Sequence, residues 1–69
     1  MITITKKHLK PGTEFISKTD YGDGLRKSWI AAVDKENYYI HSDNSKALWS
    51  VKDTEGFLKF LNSTHNLAI

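Results

Sequence analysis

Apolar positions along this chain fall in short runs, and turn-forming residues cut the runs apart. The runs are 13–19, 25–33, 38–41 and 46–51. The breaks are Lys10-Pro11-Gly12, Tyr21-Gly22-Asp23-Gly24, Asp34-Lys35-Glu36-Asn37 and Ser42-Asp43-Asn44-Ser45. Proline presets φ, and glycine accepts the positive φ that tight turns need. This rhythm predicts a small antiparallel β-domain. Ile2 and Ile4 alternate with Thr3 and Thr5, which predicts one more short strand. Leu67 and Ile69 predict a final strand beside it.

Alternation also predicts which way side chains point. In 25–33, Leu25, Lys27, Trp29, Ala31 and Val33 share one face. Trp29 and Val33 mark that face as core, with Phe15 or Ile16, Ile40 and Phe60 around the indole. The paired small residues Ala31-Ala32 suit close approach by another element. In 38–41, Tyr38 and Ile40 point inward, and Tyr39 and His41 outward. Ala47, Trp49 and Val51 form the apolar face of the next strand.

The period then changes. Phe57, Phe60 and Leu61 recur at helical spacing, with Leu58 beside them. Asp53 suits an N-cap, and Glu55 suits the positive first turn. A helix over about 53–62 is predicted, ending at Asn62-Ser63-Thr64. Gly56 in its first turn is unfavourable by roughly 1 kcal/mol relative to alanine.

Consecutive short strands with one apolar face curl into a barrel or fold over a helix. The segments Lys10-Pro11-Gly12-Thr13-Glu14-Phe15, Trp29-Ile30-Ala31-Ala32-Val33 and Tyr38-Tyr39-Ile40-His41 carry the order of an SH3-like barrel. The chain resembles that architecture over about two-thirds of its length. The signature of proline-peptide-binding SH3 domains is missing, because no acidic loop with a paired Trp-Trp follows Leu25. The expectation is one domain over 1–69, mainly β, a small antiparallel SH3-like barrel of about five strands with one C-terminal helix.

At 69 residues, with 12% aromatic content, such a domain has little apolar material to spare for a deep pocket. It has no cysteine, which excludes disulfides, thiolate metal ligands and a cysteine nucleophile. The N-terminal residues hold no continuous apolar run of signal-peptide type. No run is long enough to span a bilayer. A cytoplasmic protein without membrane attachment is expected.

The formal net charge is +2, and its basic part lies early. Lys6, Lys7, Lys10, Lys18, Arg26 and Lys27 face only Glu14, Asp20 and Asp23 within residues 1–30. Catalytic chemistry finds no foothold in the sequence. His8, His41 and His65 have no metal-ligand spacing. Asp20–Gly24 lacks the alternating oxygens and distant glutamate of an EF-hand. No serine sits in a Gly-x-Ser-x-Gly turn. Asp34 and Glu36 share a turn rather than facing each other across a cleft. Gly22 and Gly24 are followed by no Gly-Lys-Ser/Thr. Asn62-Ser63-Thr64 fits a glycosylation acceptor, but without a secretion signal the match is expected to be chance. No enzyme and no cofactor are expected.

What remains is a surface. Tyr39 and His41 point outward, with Lys6, Lys7, Lys10, Lys18 and Arg26 in the basic half. Aromatic platforms beside basic grooves bind single-stranded nucleic acid. Exposed aromatic patches and open strand edges bind proteins. The primary expectation is a small protein-binding module: an adaptor, a subunit, or a phage-type inhibitor of a host protein. A nucleic-acid-binding SH3-like module is the alternative, and homo-oligomerisation around the helix is a third reading.

Overall fold

The computed structural model describes residues 3–20, 22, 24–43 and 45–68. The expectations for Ile2, Tyr21, Asp23, Asn44 and Ile69 lie outside the described residues. Five strands and one helix follow in chain order: β1 (Glu14–Asp20), β2 (Leu25–Val33), β3 (Asn37–Ser42), β4 (Lys46–Ser50), α1 (Thr54–Thr64) and β5 (His65–Leu67). The strands form one sheet in the order β4-β3-β2-β1-β5, with every neighbouring pair antiparallel. β4 and β5 are its two edges, so the sheet is open and barrel closure is not among its pairings.

Two expectations about the ends are corrected. Residues 3–5 form no strand, and Lys6–His8 is a 3-10 turn. Ile4 nevertheless enters the core. β5 pairs with β1, placing Leu67 opposite Phe15, rather than with the N-terminal segment.

Loop side chains make the turns. Asp20 Oδ1 accepts from Gly22 N at 2.8 Å and Gly24 N at 3.1 Å, folding the β1–β2 hairpin around one carboxylate. Both glycines have positive φ. Asp34 Oδ1 accepts from Glu36 N at 2.8 Å and Asn37 N at 2.7 Å at the next reversal. These Asx turns satisfy backbone donors that the sheet cannot reach.

The helix covers one face of the sheet. Asp53 caps it, accepting from Gly56 N at 3.2 Å. Phe57 and Leu61 are fully buried against Ile4, Leu9, Phe15, Ile30 and Tyr38. Rings stack through this layer: Tyr38 on Phe57 at 5.1 Å, Phe57 on Trp49 at 5.2 Å, and Trp49 on Phe60 at 5.3 Å. Offset ring pairs add about 0.5–1.5 kcal/mol each beyond area burial. Tyr38 buries its hydroxyl at no penalty. Thr54 Oγ1 donates to Val51 O, so the Tyr38 hydroxyl donates to Thr54 Oγ1 at 2.7 Å.

The expected core position of Trp29 is overturned. Ile30 and Ser28 are the buried residues of β2, and Trp29 lies on the opposite face, half-buried. The reason is a bulge. Ile30 pairs with Ile40, but Ala32 pairs with Tyr39, so Ala31 is an extra residue. An inserted residue reverses the in–out parity of everything beyond it. Val33, opposite Tyr38, is therefore on the helix side as expected, while Trp29, before the bulge, is not.

Candidate functional site

The face of the sheet turned away from α1 carries the aromatic surface. Directly paired residues share a face. Trp29 pairs with His41 and with Glu14, His41 with Lys46, and Tyr39 with Leu48 and Ala32. Ile16 and Lys27 form the adjoining pair. The result is a patch of Trp29, Tyr39, His41, Leu48 and Ile16 across four strands. The His41 ring meets the indole edge-on, centroids 6.4 Å apart. Leu48 is 59% exposed at the β4 margin. No described helix lies over this face.

Its electrostatics are nearly balanced. Lys27 Nζ lies 3.1 Å from Glu14 Oε1. Tyr39 donates its hydroxyl to Asp34 Oδ2 at 2.5 Å. That bond holds the Asp34 carboxyl below its ordinary range, helped by the Asn37 and Glu36 N–H groups. The same carboxylate raises the Tyr39 hydroxyl above its ordinary range. The Tyr39 ring is thus oriented by the turn that closes β2 onto β3.

The remaining sequence-predicted residues do not join this patch. Lys6 and Lys7 are exposed on the N-terminal 3-10 turn, and Lys10 is exposed just after it, before β1. Lys18 is at the other end of β1, where Nζ donates to Asn62 O at 2.6 Å near the end of α1. Arg26 is on the helix side of β2, in the wall of a cleft. Only Tyr39 and His41 come together, as one face. Trp49, on the expected apolar face of its strand, belongs to the helix-side ring stack.

That cleft, about 310 Å³, opens between β2–β4 and the C-terminal half of α1. Ser28, Arg26, Ile40, Phe60, Thr64 and His65 contribute to its walls. Thr64 Oγ1 donates to Phe60 O at 2.7 Å and is 2.7 Å from His65 Nδ1. The hydroxyl proton is committed, so Nδ1 carries the imidazole proton and Nε2 is the acceptor. Nε2 faces Ser28 Oγ at 3.5 Å, beyond an ordinary hydrogen bond. Burial lowers the His65 pKa. His8 accepts from Thr5 N through Nδ1 at 2.9 Å, and the three histidines occupy separate parts of the fold. Among the described residues no group of three or more His, Asp or Glu side chains is placed to hold a metal.

Sequence reasoning missed Trp29 and Leu48 as surface residues. The Ala31-Ala32 pair was the available signal for Trp29. It marks the bulge, but periodicity alone does not locate an extra residue. Leu48 could have been found from the outward parity of Tyr39, its neighbour on the adjacent strand.

No protein-family model, curated protein or solved structure matches this chain. No helix among the described residues is long and apolar enough to cross a membrane.

Proposed function

We propose that this chain is a small, non-enzymatic, cytoplasmic module that recognises another protein through the helix-free face of its sheet. The observation that carries the reading is the grouping of Trp29, Tyr39, His41 and Leu48 on one uncovered face. Rigid aromatic side chains on a sheet give large contact area at low entropic cost, and such residues dominate binding energies. The near-neutral charge of the patch supports a protein partner. Charged residues are depleted at the centres of protein interfaces. An adaptor, a subunit or a phage-type inhibitor fits this size and surface equally.

The nucleic-acid reading draws less support. Its basic residues divide among the N-terminal turn, the far end of β1 and the helix-side cleft, so no single groove gathers them beside Tyr39. The finer likeness to SH3-like barrels rests on the order of strands and turns, with the edges β4 and β5 left unjoined.

Differential capture tests the reading. Immobilised wild type and Trp29→Ala/Tyr39→Ala are exposed to extract of the native cell, with Arg26→Ala as the helix-side control. A protein retained by wild type and Arg26→Ala but lost from the double variant is the expected result. Equal retention by all three, or steeply salt-dependent binding of mixed oligonucleotides instead, would reject it.

A further inference from the structure

We propose that two copies of this chain associate through the open edge of β4, antiparallel and centred on Leu48. The argument begins with the β3–β4 ladder. Ser42 N donates to Ser45 O at 2.8 Å at one end, and Val51 N donates to Glu36 O at 3.0 Å at the other. In an antiparallel pair, residues alternate between those bonded across the ladder and those whose N–H and C=O point away. Both ends give the same parity. Ala47 and Trp49 turn their backbone groups to Ile40 and Tyr38. Lys46 and Leu48 turn both of theirs outward, and Ser50 its N–H, while Ser50 O, at the N-cap of the 3-10 turn Val51–Asp53, accepts the first bond of that turn. β4 is the first strand of the sheet, so no described strand takes them up.

This edge is complementary to itself. With a two-fold axis at Leu48, the outward groups of Lys46 meet those of the partner's Ser50, and Leu48 meets the partner's Leu48. The two Leu48 residues then exchange both of their bonds, and each Lys46 carbonyl faces the N–H of the partner's Ser50. The side chains agree with the backbone. Leu48, exposed on the helix-free face, is covered by its own copy. Trp49, half-buried on the helix side, lies opposite the partner's Ala47, whose small side chain leaves room for the indole. Lysines commonly guard open strand edges by opposing like charges. In this register Lys46 lies opposite a serine, so that guard is absent. β5, the other edge, has only three residues. Pairing β4 with a neighbour's β5 would be head-to-tail and would not close. The two-fold arrangement closes as a dimer and joins the two aromatic faces into one continuous surface.

Sedimentation equilibrium of the full chain over a concentration series tests this. The weight-average mass should climb from 7.9 kDa toward twice that value and stop there. Leu48→Pro removes an outward donor and spares the β3 ladder. Leu48→Lys places like charges across the axis. Both should keep the wild-type circular dichroism and stay monomeric. The chain has no cysteine, so Leu48→Cys reports the register directly. A short thiol-to-thiol cross-linker should join it into covalent dimers, and should leave Leu25→Cys, another exposed leucine, monomeric. A wild type that is monomeric throughout, a mass that grows past the dimer, or equal cross-linking of the two cysteine variants would overturn the proposal.

Discussion

Asn62 pairs with Ile4 as a neighbouring strand would. Its Oδ1 accepts from Ile4 N at 2.8 Å, and its Nδ2 donates to Ile4 O at 2.9 Å. A third bond, Nδ2 to Leu58 O at 3.0 Å, fixes the amide to its own helix. The N-terminal segment is therefore held by one side chain rather than by a ladder, and Ile4 is delivered to the core. Asn62→Ala strands both polar groups of Ile4 in a partly buried place. It should cost about 1–3 kcal/mol in urea unfolding. Ser63→Ala, one residue on and exposed, should change the midpoint little.

The β2 bulge leaves Trp29 on the face of the sheet opposite the one that Phe57 packs against. Phe57→Ala empties a fully buried site at the centre of the ring stack and should cost about 3–5 kcal/mol. In a domain of this size that loss is enough to unfold it. Trp29→Ala, on the helix-free face, should cost roughly 1 kcal/mol or less. Thermal melts of the two variants check the face assignment. Comparable losses would return Trp29 to the core.

Gly56 answers to the cap. A Cβ there would run into the Asp53 carboxylate, which accepts from Gly56 N and from Trp49 Nε1. Gly56→Ala should gain helix propensity, about 1 kcal/mol, and lose a comparable amount through the displaced cap. The net change should be small in wild type. In an Asp53→Ala background, where the clash is gone, Gly56→Ala should stabilise by about 1 kcal/mol. A double-mutant cycle by urea unfolding measures the coupling.

Much of the architecture was legible because local chemistry and tertiary demands agree. The Asx and glycine turns, the outward Tyr39 and His41, and the capped helix with Phe57 and Leu61 inward all follow from short-range pattern. The helix ends at Thr64, within the expected Asn62-Ser63-Thr64 stop, where the Ser63 and Thr64 hydroxyls bond back to Phe60 O. The misplaced features are all long-range. Strand parity across Ala31 depends on a register set with β3. The partner of β5 depends on where α1 ends. The scattering of Lys6, Lys18 and Arg26 depends on the topology as a whole.

Acid should weaken the fold through His65. Burial lowers its folded-state pKa below the ordinary 6.5. Below pH 6.5 the unfolded chain then binds a proton that the folded chain resists, so stability falls as pH drops from 6.5 toward the lowered value. Phe15 and Phe60 flank the ring, and Arg26 lines the same cleft; nothing acidic among these neighbours offsets the charge. His65→Gln should flatten the pH dependence of the melting temperature between pH 7.5 and 5. An unchanged slope would assign the acid sensitivity elsewhere.

The helix-free face as a protein-binding surface is tested most directly by site-specific photo-cross-linking in the native cell. A benzophenone amino acid is placed at Tyr39 on that face, and in a second variant at Lys59 on exposed α1. The account predicts a discrete, protease-sensitive adduct from position 39 and none from position 59. Adducts from position 59 alone, or adducts from position 39 that nuclease removes, would contradict it.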